Sequence, residues 1–496
     1  MIFNRTLITE GYSESMDPFA LIIFGVTGNL SQKKLIPSLY ALEADGLLHE
    51  ETKIIGVARR PMSDEDLVSF MLKSLTDHGL SHNIVIKPEV FYSLSKKLHY
   101  IQSDFEKPND QIKSFGEIKR FLDKINLKVK NHLFYFATYP DLYPSILKSI
   151  KSSELDINKM GWVRLMIEKP IGHDLQSAVK LNKLFKKYFK ENQIFRLDHY
   201  LGKETIQNIL VFRFGNGILS PVMNKDFVDH IQITATEDFG IGSRGGYYDT
   251  VGALRDVGQN HLLQMLVVAT MEAPSEFNNL QVTQKRIDIL ESLVANPKKI
   301  VFGQYNGYLF EENVSKDSTT DTFFAFKTEI DNDKWKGVPI YIRGGKKMTR
   351  STAEISIVFK TVNNPLFGPE ELSSKPNVLT YRIQPNEGIG LELLTKRPDH
   401  KFILERNYMQ FCYNQKEVPL SDAYEKLLYD AIAGDGTFFN DSPEVESSWK
   451  FIDSLVPKPR IPFVYEPGSW GPKEADDLIE ADGRKWIEPS EALCLV

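Results

Sequence analysis

The chain is 496 residues long, 42% hydrophobic and 25% charged, a balance that excludes disorder and suits about two globular domains. A formal net charge of −6 excludes the basic surface that non-specific nucleic-acid binding needs. The longest apolar run, Leu262 to Thr270, is too short for a bilayer, and Met1 to Pro18 holds no apolar core of signal-peptide length, so a soluble cytoplasmic protein with no membrane partner is expected.

Residues 1–17 are polar and aperiodic and read as a loosely held extension. Phe19 to Phe24 (FALIIF) is continuously apolar, as in a parallel strand buried on both faces. Gly25, Val26, Thr27, Gly28, Asn29 and Leu30 follow, and then a helical pattern from Lys33 to about Leu47. Strand, glycine turn and helix in that order suit a dinucleotide: the backbone approaches the pyrophosphate and the helix start supplies N–H donors. The spacing is not GxGxxG, and the surrounding pattern carries the argument. A second strand, Lys53 to Ala58, ends in Arg59 and Arg60 where NAD-binding folds place an acidic residue. A guanidinium suits a ribose 2′-phosphate, so NADP is the expected cofactor.

Residues 61–130 read mainly as helices, with one short strand at Leu98 to Gln102. His132 to Ala137 and Trp162 to Glu168 are further buried strands, the latter followed by Lys169 and Pro170. Lysine at a strand's carboxyl end faces the ligand crevice of a doubly wound sheet. An amphipathic helix, Asp174 to Lys190, and a strand, Ile194 to Leu197, lead to the stretch Arg196-Leu197-Asp198-His199-Tyr200-Leu201-Gly202-Lys203-Glu204. Asp198 can fix the tautomer of a histidine, and His199, Tyr200 and Lys203 are the donors a phosphate dianion needs.

Beyond Gly202 the pattern turns strand-like: Ile209 to Phe214, His230 to Ala235, Thr322 to Ile330, Val338 to Arg343, Glu354 to Phe359, Leu379 to Ile383 and Ile389 to Leu394. The expected architecture is a Rossmann-like doubly wound α/β domain at 18–198, then an α+β domain at 199–496 with a large, mainly antiparallel sheet. Pro457 to Pro467 reads as an extended surface segment. Cys412 and Cys494, far apart in sequence, make neither a disulfide framework nor a zinc cluster, and a reducing compartment fits them best.

The stretch RLDHYLGKE resembles the active-site signature of the glucose-6-phosphate dehydrogenase family, and the likeness runs from about Phe19 to Trp486. The resemblance implies oxidation of glucose 6-phosphate at C1 with NADP, in a homodimer or homotetramer. It makes His261, in the matching segment Gly245 to His261, the general base, with Glu237 and Asp256 holding sugar hydroxyls. It places Lys346, Lys34 and Lys169 at the substrate, Lys169 also at the cofactor after a cis Lys169–Pro170 bond, and Arg59 at the 2′-phosphate. Asn29 departs from the family's aspartate, Tyr139-Pro140 from its two prolines, and Asn440-Asp441 from a pattern in which arginine follows.

Oxidising a cyclic hemiacetal takes a base for the C1 hydroxyl, a hydride acceptor facing C1, and a held substrate. Histidine suits the first, since its ordinary pKa of roughly 6.5 lies near neutral pH. His199 and His261 compete for that role; His199 sits among phosphate donors with Tyr200 and Lys203 while His261 has no lysine nearby in sequence, so chemistry favours His261, and the resemblance makes it firm, with Asp198 as its carboxylate. No metal is required. Two other readings stay open: an NAD(P) dehydrogenase of another sugar, and a catalytically silent homologue.

Overall fold

The computed structural model describes residues 16–79, 84–125, 128–158, 160–361, 376–398, 400, 403–413, 420–457, 460–489 and 493–494. The expected N-terminal extension lies almost wholly outside the described residues. The chain forms two compact units. The first takes in the described residues up to Gly172, Gln176–Gly202, and Ser421–Val445; the second takes in His173–Leu175 and the described parts of Lys203–Leu420 and Glu446–Val496.

In the first unit, β1 (Phe19–Phe24), β2 (Lys53–Ala58), β3 (Leu98–Gln102), β4 (Asn131–Phe136), β5 (Val163–Ile167) and β6 (Ile194–Arg196) form a parallel sheet in the order β3-β2-β1-β4-β5-β6. This is the doubly wound arrangement expected, with its topological switch between β1 and β4. Helices cover both faces, so β1 and β4 are buried at every residue and show no polar alternation. Phe24 knits the core: it stacks on Phe115 at 5.5 Å and packs edge-on to Phe136 at 5.5 Å. Asp64–His78 starts at a capping box in which Ser63 and Asp66 satisfy each other's backbone N–H. Ser421–Val445 docks in the same unit. Arg164 donates to the Ala431 carbonyl at 2.9 Å near the end of the helix Ala423–Ala433, and Phe195 meets Phe439 edge-on at 5.0 Å.

The second unit is built on a nine-stranded sheet. Its strands are β7 (Val228–Thr236), β8 (Ile300–Tyr305), β9 (Phe323–Thr328), β10 (Ile340–Gly345), β11 (Thr352–Phe359), β12 (Val378–Gln384), β13 (Gly388–Lys396), β14 (Leu404–Cys412) and β15 (Phe463–Tyr465). The order is β14-β13-β12-β11-β7-β10-β9-β8-β15, antiparallel except at β7–β10 and β8–β15. Among the described residues no helix is long and apolar enough to cross a membrane.

Two expectations are corrected. Ile209 to Phe214 is not a strand but part of the helix Glu204–Gly215. A short apolar run does not distinguish the two, and here Ile206, Ile209, Leu210 and Arg213 recur at helical spacing and are all buried. Arg213 also needs this geometry: its guanidinium donates to Val268 and Met271 carbonyls, both at 2.7 Å, at the end of the helix Leu263–Thr270. Second, Cys412 and Cys494 form a disulfide. Their separation of 82 residues hid it, because β14 ends where the chain's last described residues return, and Cys494 N–H bonds Gln410 there at 3.3 Å. The inference of a reducing compartment from cysteine usage loses its basis. Strands β8, β14 and β15 went unread; β15 lies inside the stretch expected only to be extended.

Candidate active site

The glycine turn is held between β1 and β4. Gly25 has a φ of +93°, and a Cβ there would meet the Ala137 carbonyl oxygen at 2.6 Å, so only glycine fits. Gly25 N–H bonds Val57 O at 2.8 Å, Gly28 N–H bonds Gly25 O at 2.9 Å, and the Gln32 amide bonds Thr27 O at 3.2 Å. Thr27, Gly28 and Leu30 are half-buried and Asn29 is exposed, and the chain then winds through Ser31–Leu35 into the helix Ile36–Ala44. Arg59 and Arg60 are both exposed where β2 ends. The bare backbone at Gly25 and the two guanidiniums fit a dinucleotide with a 2′-phosphate. Lys34 is drawn to Asp422 at 3.1 Å and lies 5.9 Å from the centre of the Tyr424 ring.

Glu168 and Lys169 follow β5, and the Lys169–Pro170 bond is cis. Glu168 is buried, accepts from the Tyr135 hydroxyl at 2.5 Å and lies beside the Tyr424 phenol. Burial pushes its carboxyl up to about 7, against the pull of those phenols and the Lys169 charge. Folding therefore favours its protonated form between the ordinary carboxyl value of 4.5 and about 7. The stability this group permits is complete below about 4.5 and is lost as pH rises through 7, a swing on the order of 3 kcal/mol. Thermal melts between pH 5 and 8 are expected to show Glu168→Gln gaining on the wild type as pH rises; parallel curves would contradict this.

Asp198 follows β6 and is 1% exposed; its Oδ1 accepts the Tyr200 N–H at 3.0 Å. His199 is half-buried, edge-on to Tyr200 at 5.2 Å and stacked with Tyr424 at 6.1 Å and 18°. Tyr200 is buried. Arg196 is structural: fully buried, it pairs with Glu191 at 2.6 Å and bonds Asn182 and Ser442.

In the second unit, Lys203 precedes the helix Glu204–Gly215, and its Nζ donates to Gln384 Oε1 at 2.9 Å. Glu237, just past β7, forms an ion pair with the buried Lys346, whose Nζ also lies 5.2 Å from the Tyr248 ring centre. Burial raises the Tyr247 and Tyr248 phenols, and half-buried Asp256 is close enough to add to both, so Glu237, Lys346 and Asp256 gather around Tyr248. Asp256 and His261 share the widened π-helix Leu254–Leu262, a geometry frequent at functional sites. Its entry is fixed by Gly252 at a φ of +77° and by Leu254 N–H on Asp321 Oδ2 at 2.8 Å. His261 is 4% exposed, and its backbone N–H donates to Asn260 Oδ1 at 2.7 Å. A separate cavity of about 550 Å³ on this unit, lined by Asp229, Glu354, Arg406 and Arg484 among others, includes no residue singled out from the sequence among its described lining.

The match to known proteins spans both units. The model of the glucose-6-phosphate dehydrogenase NAD binding domain covers residues 22–208, and that of the C-terminal domain covers 210–487. The chain belongs to the glucose-6-phosphate dehydrogenase family. A glucose-6-phosphate 1-dehydrogenase of Chlamydia muridarum is 37% identical over 95% of this chain and 96% of its own length. One from Bacillus subtilis is 37% identical over 94% and 97%. The solved glucose-6-phosphate dehydrogenase in complex with its substrate glucose-6-phosphate superposes with a TM-score of 0.86 at 32% identity, covering 96% of this chain and all of that one. The Mycobacterium avium enzyme's structure gives 0.82 at 33%, covering 95% and 99%. Packed beside the expected site residues of the first unit are Glu168, Asp422 and Tyr424, which sequence reasoning did not single out. Glu168 had a signal, a carboxylate directly before the Lys-Pro pair; Asp422 and Tyr424 lie more than two hundred residues downstream, with no local mark of the unit they join.

Proposed function

We propose that this chain oxidises D-glucose 6-phosphate at C1 to 6-phospho-glucono-1,5-lactone with NADP, the first step of the oxidative pentose phosphate pathway. The observation that carries this reading is the stretch Arg196 to Glu204 at the carboxyl end of β6 in a chain of this family. His261 takes the C1 hydroxyl proton on an imidazole nitrogen, and Asp198 holds that imidazole's tautomer and stabilises its cation. His199, Tyr200 and Lys203 bind the phosphate. Glu237 and Asp256 hold sugar hydroxyls, and Lys346, Lys34 and Lys169 complete the substrate contacts. Bound through Gly25, Thr27, Gly28, Asn29, Leu30, Lys169 and Arg59, NADP supplies the acceptor for the hydride leaving C1. Purified protein with glucose 6-phosphate should produce the NADPH absorbance band; no band with this sugar, or equal rates with galactose 6-phosphate or glucose, would reject the reading.

Arg59 reads the 2′-phosphate. Arg59→Ala should raise KM for NADP roughly tenfold, the worth of a charge-assisted bond at an exposed site, and leave that for NAD unchanged. Parallel losses in steady-state kinetics would remove it from that role. Self-association through the second unit's sheet gives a homodimer or homotetramer. It is supported by end strand β14, where Tyr408, Met409 and Phe411 are exposed. Sedimentation velocity should find no monomer at micromolar concentration; a monomer would contradict it. A cytoplasmic location fits a phosphorylated sugar, whose charge keeps it from crossing membranes.

A further inference from the structure

A buried carboxyl that the proton and hydride transfers do not use lies behind the expected phosphate ligands of the first unit. Glu168 is 7% exposed, accepts a hydrogen bond from Tyr135, fully buried on β4, and lies beside the Tyr424 phenol at the start of the helix Ala423–Ala433. Tyr424 is itself anchored twice more: its N–H bonds Asp422 Oδ1 at 2.9 Å, and Asp422 pairs with Lys34. Its ring stacks with the His199 imidazole, 18° from parallel. Burying a carboxyl costs free energy that an apolar side chain of the same size would not, so its presence calls for a return. Once ionised, as pH rises through about 7, the carboxyl offers acceptors only, and so fixes both phenols in one donor geometry. Glutamine cannot do the same, because its amide end must donate.

We propose that Glu168 is a positioning residue for recognition of the substrate's phosphate: through the Tyr424 hydroxyl it locks the ring against which His199 lies, so the imidazole is aimed before the phosphate arrives. Preorganisation of this kind adds affinity by removing an ordering cost at binding. The proposal rests on the reading of His199 as a phosphate ligand.

The test measures kcat and KM at pH 8, where Glu168 is ionised, for glucose 6-phosphate and for glucose in Glu168→Gln, Tyr424→Phe and His199→Ala, with thermal melts to confirm folding. Because the phosphate is remote from C1, both positioning variants should raise KM for glucose 6-phosphate about tenfold, with kcat and KM for glucose within twofold of wild type. If His199→Ala shows that selective loss and the two positioning variants do not, the proposal is overturned and the reading of His199 stands. If His199→Ala shows no selective loss, both fall. Equal loss on the two sugars would mark Glu168 as merely structural and overturn the proposal. Should Glu168→Gln not fold, Tyr424→Phe, which keeps the stacked ring and removes only the hydroxyl, decides it.

Discussion

Replacing His261 with asparagine is expected to lower kcat about a thousandfold, within the range that general-base catalysis contributes. KM for glucose 6-phosphate should stay within about twofold, because the imidazole acts on the C1 proton and not on the phosphate. His261 is buried on the π-helix Leu254–Leu262, and asparagine keeps a polar group of moderate size there. The loss should therefore appear in turnover and not in folding. The acid limb of the kcat/KM profile, where the base becomes protonated, should vanish with the substitution. Steady-state kinetics across pH checks both points, and a variant with wild-type kcat would take the base role from His261.

Lys203→Ala is the second large effect. The ammonium is aimed by Gln384, whose Oε1 it reaches at 2.9 Å, and by its position just before the helix Glu204–Gly215. A charge-assisted contact to a phosphate dianion contributes about 1.5–3 kcal/mol, so KM for glucose 6-phosphate should rise roughly ten- to a hundredfold. Glucose lacks the group that Lys203 reads, and its KM should not move. An equal rise on both sugars would place Lys203 outside the phosphate site.

The first unit was legible because its signals are local. A strand buried on both faces reads as an unbroken apolar run, as at FALIIF, and a turn that tolerates only glycine shows one, as at Gly25. The second unit was less so. Ile209 to Phe214 looked like a strand because its helical periodicity is completed by Ile206 and by a buried arginine, which apolar patterning does not count. Cys412 and Cys494 looked unrelated because sheet registry, not sequence spacing, brings them together. The site residues stood out where chemistry is dense, at Arg196 to Glu204. The groups packed beside them stood out less: Tyr424 belongs to a helix whose sequence says only that it is amphipathic, and Glu168, marked only by the Lys-Pro pair after it, shows its burial between two phenols in the structure alone.

The central claim is that Asp198 and His261 act as one proton-accepting pair. The most direct measurement is kcat for Asp198→Asn, His261→Asn and the double variant. Residues acting as a unit lose their contribution once, so the double variant should be no slower than His261→Asn within about twofold. If instead the two losses multiply, the carboxylate and the imidazole work independently and the account is wrong.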